Sequence, residues 1–322
     1  MSSTLDRIGS LDHSGARAAA RRRGQRVAEV VIAVALRVCA FMAVAGLLLI
    51  MVFVFREALP VLLDAETMKE ASLGHYFKTD MWQPVGDIPK YGLLPLLVGT
   101  LKIVLVAMAF AVPVGVLAAV FASEFAPARI REALKPAIEI LAGIPSVVLG
   151  FFALMVMASW IQALTHAPYR LNALNAGVAL GLGVLPTIFT VCEDALRAVP
   201  RSFREASLAL GATPWQTAWS VTLPAAGAGV SAGILLGLAR AVGETMIVLM
   251  ASGNAAIVSG SVFDSARTLS ASIAAELAEV VFGSPHYSTL FFLGAILFVT
   301  TFTINVVAGF FVDRLRKRLA GG

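Results

Sequence analysis

Two charges stand where charge is expensive. Arg240 and Glu244 lie in Leu238-Ala239-Arg240-Ala241-Val242-Gly243-Glu244-Thr245-Met246, within an otherwise apolar run at 224–252. On a helix, a spacing of four puts both side chains on one face. Ionised groups at membrane depth are costly and normally face a cavity or a partner. Arginine stays charged and presents forked donors, which suits it to tetrahedral oxyanions. Glu244 would hold Arg240 in position, or set how much positive charge a pathway shows. Two readings stand on these residues alone: a contact for a translocated anion, or a structural ion pair that locks helix packing.

Other chemistry is poorly provided for. The sequence has no Gly-x-x-x-x-Gly-Lys-Ser/Thr loop to cradle phosphates, so it has no P-loop nucleotide site. The four histidines (His13, His75, His166, His286) are scattered, and Cys39 and Cys192 have neither metal nor redox spacing. No nucleophile motif appears. The expectation is a protein with no catalytic residues, no metal and no cofactor of its own.

The elements that must position Arg240 are membrane spans. The 322 residues are 58% hydrophobic and 14% charged, against about 25% charged in a soluble domain. A bilayer crossing needs about 20 mostly apolar residues. Such runs fall at 38–55, 103–123, 140–160, 171–192, 224–252 and 287–312. All are predicted helices, because a crossing segment must satisfy its own backbone hydrogen bonds. The alternation of a membrane β-barrel is absent. With the N-terminus inside, cytoplasmic segments hold 17 of the 25 Lys and Arg and outer segments hold 6, leaving Lys102 and Arg240 within spans. That bias places both termini in the cytoplasm. The formal charge of +5 is therefore a topology signal and gives little reason to expect nucleic acid. Arg21-Arg22-Arg23 with Arg26 reads as retention charge, or as a contact for anionic membrane lipid.

The expected organisation is a disordered basic tail at 1–27, a retained anchor helix at 28–59, an outer loop at 60–91, a core of five spans at 92–312, and a basic tail at 313–322. The anchor is longer than a signal-peptide apolar region and lacks a small-x-small cleavage site after it. Lys102 is an unexpected charge that either lines a path or snorkels outward. Gly227, Gly229, Gly233 and Gly237 form a small-residue face that would pack within the subunit or along a dimer seam.

Residues 197–224 are too polar to span and too periodic for a random loop. Pro200 reads as a helix start, with Glu205 near that start favouring the helix dipole. Ala206, Leu208, Ala209 and Leu210 give a small apolar face. Gly211-Ala212-Thr213-Pro214 stops the helix and begins another, on which Trp215, Trp219 and Val221 continue. Two short helices meeting at a sharp angle are expected. The alternative is an amphipathic helix lying on lipid, anchored by its tryptophans.

The spacing Glu205-Ala206-Ser207, three residues, Gly211, nine residues, then Val221-Thr222-Leu223-Pro224 resembles the EAA coupling motif of permeases in ATP-binding-cassette (ABC) importers, with Ser207 where Ala is usual. Arg240-Ala241-Val242-Gly243-Glu244-Thr245 resembles the phosphate-specific members, and the continuation to Gly253-Asn254 is closer to the PstC type than to its PstA-type sister. Gly143-Ile144-Pro145-Ser146, Ser123-Glu124-Phe125-Ala126-Pro127, Trp82-Gln83-Pro84 and Gly99-Thr100-Leu101 agree. The resemblance covers about residues 38–312. It implies an all-α membrane protein of six transmembrane helices with a cytoplasmic coupling-helix loop, the type I ABC importer permease fold. It implies phosphate import across the inner membrane, with a PstA-type sister permease, two copies of a PstB-type ATPase and a PstS-type periplasmic binding protein. It assigns Arg240, Glu244 and Thr245 to the substrate pathway. Glu205, Ala206, Gly211, Leu223 and Pro224 fall to ATPase coupling.

Competing readings are a permease for sulfate or molybdate, the PstA-type sister, a self-powered secondary transporter, and a membrane signalling partner. The Arg-Ala-x-Gly-Glu-Thr segment argues against another oxyanion. The coupling loop and the lack of a detectable inverted repeat argue against a secondary transporter.

Overall fold

The computed structural model describes residues 2–64, 73–86 and 88–320. Part of the segment expected to be an outer loop, 60–91, therefore lies outside the described residues, at 65–72 and 87. The chain divides into two units, Met1–Arg56 and Glu57–Gly322. The first unit is a single helix, part of α1 (Ser2–Ala58). Residues 2–27 are helical where composition predicts disorder. Ala and Arg, both strong helix formers, are concentrated at 16–26.

In the second unit, α2 (Pro60–Leu63), α3 (Leu73–Lys78) and a minimal hairpin of β1 (Trp82–Gln83) and β2 (Lys90–Tyr91) precede the long helices. Next come α4 (Leu94–Val120), which ends in a π-helical turn at Phe121–Phe125, and α5 (Ala128–Gly143). The third span is α6 (Ser146–Phe152), a π turn at Ala153–Met157, and α7 (Ala158–Thr165). It starts later than the expected 140, because Pro145 separates it from α5, an amphipathic helix with no buried residue. The fourth span is α8 (Ala173–Arg197).

Beyond it lie α9 (Arg201–Ala209), α10 (Pro214–Thr217), a π turn at Ala218–Thr222, and α11 (Leu223–Ala225). Then come α12 (Gly227–Gly243), α13 (Met246–Ala251), α14 (Leu269–Glu276) and α15 (Pro285–Ala320). Among the described residues, five helices are long and apolar enough to cross a membrane. The count is six if the bent pair Pro214–Ala225 and Gly227–Gly243, which turns by 71°, is taken as one span.

Helix α8 is the centre of the second unit. It packs along α4 and is crossed by α12. Small residues allow the approach: a Cβ on Gly177 would sit 2.4 Å from Val106 Cγ1, and one on Gly229 2.3 Å from Ala195 Cβ. Gly233 and Gly237 likewise face Cys192 and Ile188 of α8. Three of the four glycines of the stripe, Gly229, Gly233 and Gly237, are therefore used inside the subunit, while a Cβ on Gly227 would meet nothing within 4 Å. Ile103, Ala107, Leu180, Val184 and Ile188 fill the space between these helices.

A second cluster, of Val61, Tyr76, Trp82, Tyr91, Leu93, Leu96, Leu269, Leu290 and Leu293, closes the end where α4 begins. Its polar pin is Glu276. Trp82 Nε1 donates to it at 3.0 Å, Arg267 Nη2 pairs at 2.5 Å and His286 Nε2 lies at 2.8 Å. Burial pushes the Glu276 carboxyl up, but the hydrogen bonds from His286 and Trp82 and the charge of Arg267 outweigh it and hold the group below its ordinary 4.5. A depressed folded value means the pin stabilises fully above that pH and fades as pH falls through the lowered value. The thermal midpoint in detergent is expected to drop below pH 4.5. Glu276→Gln should start lower at neutral pH and lose less on acidification; parallel curves for the two proteins would refute the pin.

Helix α14 and the residues after it pack on this cluster through one side. Leu269 is buried, and Ile273 and Val280 pack on the same cluster, whereas Leu277 is exposed.

Candidate translocation and coupling site

The span carrying Arg240 does not continue as a helix through Glu244. Helix α12 stops at Gly243, Glu244 is extended (φ −71°, ψ 133°), and α13 begins at Met246. The expected arrangement, with both charges on one helical face, is therefore corrected. Among the described residues no ion pair joins them. A tertiary contact accompanies the break: Ser270 Oγ, from α14, donates to the Glu244 carbonyl at 2.9 Å. That carbonyl is satisfied outside the helix, as irregular backbone at membrane depth requires. Thr245 Oγ1 donates back to Gly243 O at 3.3 Å.

Arg240 is exposed, and its described contact is a hydrogen bond from Nη1 to Thr187 Oγ1 at 3.1 Å. Thr187 follows Pro186 inside α8. Among the described residues the other guanidinium donors make no hydrogen bond within the subunit. Glu244 and Thr245 are half-buried. A cavity of about 450 Å³ lies beside the break, lined by Thr245, Ser270, Ile273, Leu277 and Leu297 among others. Sequence reasoning missed Thr187 and Ser270. A lone hydroxyl in a span carries no signal until the fold shows what it meets.

Lys102 neither lines a path nor snorkels. It is buried, and Nζ donates to the carbonyls of Ser259 (3.2 Å) and Ser261 (2.9 Å). Two neighbours on α4 grip the same loop. Thr100 Oγ1 accepts from Leu269 N at 3.2 Å, and Gly99 lies flush against the Arg267 backbone. Lys102 is a tether for the 253–268 connection.

At the other end of α4 stands the 197–224 loop. Helix α9 carries Glu205 and Ala206 on exposed positions, with Phe203 at 52% and Leu210 at 90% exposure. Glu205 is the fifth residue of α9, beyond the first turn, so the expected dipole contact is not made. Gly211 adopts φ +85°, and Gly211 N and Ala212 N donate to Leu208 O (3.0 Å) and Ser207 O (3.2 Å). This is the glycine-terminated stop expected from sequence. A Cβ there would touch nothing, so the left-handed backbone, and not crowding, asks for glycine. Thr213 and Gln216 then form a reciprocal capping box for α10. Leu223 and Pro224 lie in α11, at the 71° bend into α12. Ser207 Oγ and Thr217 Oγ1 are 2.9 Å apart and tie the two arms together.

Arg204 anchors the loop to the bundle. Nη2 and Nε reach Glu124 at 2.7 and 3.0 Å, while Nη1 and Nη2 donate to Val199 O (2.8 Å) and Leu196 O (2.9 Å). The hydrogen bond and charge of Glu124 raise the Arg204 pKa further, against the opposing effect of burial.

Residues 111–321 match the model of the family described as "Binding-protein-dependent transport system inner membrane component". The chain belongs to this family. Members of it are transport subunits and not catalytic enzymes. A probable ABC transporter permease protein, YqgH, of Bacillus subtilis is 36% identical, covering 72% of this chain and 75% of that one. The phosphate transport system permease protein PstC of Mesorhizobium japonicum is 35% identical, over 76% and 79%. PstC 1 of Mycobacterium tuberculosis is also 35% identical, over 73% and 75%.

Solved structures share the fold. The MetNI methionine ABC transporter, in inward-facing conformations, superposes with TM-score 0.53 at 21% identity, over 70% of this chain and 94% of that one. A bacterial alginate ABC transporter bound to its periplasmic protein gives TM-score 0.59 at 14% identity, over 86% and 94%. This family member therefore has the type I ABC importer permease fold, in a multi-pass membrane protein with several apolar helices.

Proposed function

We propose that this chain is the permease subunit of an ATP-driven importer that moves inorganic phosphate across the inner membrane by alternating access. The observation that carries the reading is the 35% identity to phosphate permeases over about three quarters of the chain. That span is long enough to include both the broken helix and the 197–224 loop. Arg240 is the counter-charge for the anion, with Glu244 and Thr245 beside it at the break. Glu205, Ala206, Gly211, Leu223 and Pro224 form the surface that couples to a separate ATPase. The complex pairs this chain with a PstA-type sister, two PstB-type ATPases and a PstS-type binding protein. Residues 28–59 are an anchor and 92–312 the permease core. Both tails and the 197–224 loop face the cytoplasm, so the Glu276 end faces outward.

Radiolabelled phosphate uptake into vesicles tests the function. Uptake should require the ATPase, the sister subunit and the binding protein together. Equal uptake without the ATPase would refute coupling, and uptake of sulfate or molybdate in place of phosphate would move the chain to another oxyanion. Labelling of introduced cysteines tests the topology. An impermeant thiol reagent added outside should modify Gly260→Cys and spare Ser202→Cys; the reverse pattern would invert the orientation.

A further inference from the structure

We propose that the Arg204–Glu124 ion pair is the strut through which motion of the 197–224 loop is passed to the second and fourth spans, making Arg204 and Glu124 positioning residues for energy coupling. The proposal rests on the coupling role given to that loop above.

The geometry sets this pair apart from an ordinary surface salt bridge. Glu124 is only 9% exposed in its side chain and Arg204 22%. The contact is forked, with Nη2 on Oε1 at 2.7 Å and Nε on Oε2 at 3.0 Å, the geometry in which arginine is most directional. The same guanidinium holds two carbonyls at the end of α8, those of Leu196 and Val199. One side chain of α9 therefore grips two spans that pack along each other.

The receiving end is stiffened as well. Glu124 lies in the π turn Phe121–Phe125, and Ser123 Oγ donates to its Oε1 at 3.1 Å. Arg131 holds the carbonyls of Ala122 (2.8 Å) and Ser123 (3.2 Å) from α5. A second contact runs from the far arm of the loop, where the Trp215 ring lies 5.8 Å from Phe125. The loop arms are tied to each other by Ser207 and Thr217. A displacement of α9 would then be carried into α4 and α8 as a body. Helix α8 is unbroken from Arg197 to Thr187, about 15 Å at 1.5 Å per residue, and Thr187 holds Arg240. π turns in long helices are frequent at functional sites, and here one of them carries the strut's acceptor.

A strut and a mere stabiliser differ in what their loss does. Removing a stabiliser lowers transport and ATP hydrolysis together, through the amount of intact complex. Removing a strut lets the ATPase bind and hydrolyse while the spans stop following. The experiment uses the full complex reconstituted in proteoliposomes, and reads phosphate moved per ATP hydrolysed alongside ATPase co-purification. Glu124→Gln keeps the shape and removes the charge. It should retain the ATPase and basal hydrolysis within about twofold while the transport-to-hydrolysis ratio falls at least tenfold. Arg204→Lys keeps a charge and loses the fork, and its ratio should fall about threefold. This milder variant decides the matter if Glu124→Gln fails to accumulate. An unchanged ratio in the variants, with ATPase bound, overturns the strut and leaves the coupling loop standing. Loss of ATPase binding in Arg204→Lys would overturn it too, since the pair would then be shaping the docking surface. Failure of the wild-type complex to retain any ATPase sinks the coupling reading and the strut with it.

Discussion

Arg240→Gln is expected to abolish phosphate uptake, and Arg240→Lys to leave a fraction of it. An anion leaving water needs a counter-charge, and the described contact of Arg240 is one hydroxyl, Thr187 Oγ1, so its forked donors stay available. Charge-assisted hydrogen bonds contribute about 1.5–3 kcal/mol each. Losing two of them corresponds to about a hundredfold or more in rate, at about 1.4 kcal/mol per decade. The fold removes the chief objection. If Arg240 and Glu244 were a structural pair, removing both would restore what either single change loses, because no lone buried charge would remain. The helix ends at Gly243 and turns Glu244 off that face, so the double variant Arg240→Gln/Glu244→Gln should be as inactive as Arg240→Gln. Glu244→Gln alone should have a smaller effect. Near-normal uptake by the double variant at equal membrane abundance would rule out the pathway role of Arg240.

Gly99→Ala should also be damaging, through crowding and not through loss of a charge. A Cβ at this position would lie 2.2 Å from the Arg267 carbonyl oxygen, and a backbone carbonyl cannot rotate aside as a side chain can. Overpacking typically costs about 1–3 kcal/mol, and here the strain falls on the residue that pins Glu276. The neighbouring grips, Thr100 on Leu269 N and Lys102 on the Ser259 and Ser261 carbonyls, depend on the same seating. Loosening of the 253–268 connection should show as faster proteolysis there and a lower thermal midpoint, together with reduced uptake. Gly260→Ala is the control: it lies in the same connection, and its added methyl meets nothing within 4 Å. Equal behaviour of the two variants would mean that the close approach at Gly99 does not hold the loop.

The spans were legible because hydropathy is a one-dimensional property: a crossing segment must be apolar along its whole length whatever it packs against. The two arms at 197–224 were legible for a similar reason. Pro200, Gly211, Thr213 and Pro214 act on the backbone within a residue or two of themselves, and each did so. What the sequence could not settle lay between distant elements. It left the glycine stripe open between a dimer seam and internal packing, and only the position of Ala195, Cys192 and Ile188 on α8 decided it. Lys102 was unplaceable until two carbonyls more than 150 residues away came within reach. The helical pairing of Arg240 with Glu244 was a sound local inference that fails because the helix ends at Gly243, where the Glu244 carbonyl is met by Ser270 of another helix. The sequence by itself determined that the chain is a set of apolar helices able to cross a membrane, and where the chain must turn between the two short helices at 197–224. The tertiary structure alone decided where a span breaks and which partner each buried polar group finds, because those depend on satisfying hydrogen bonds across space.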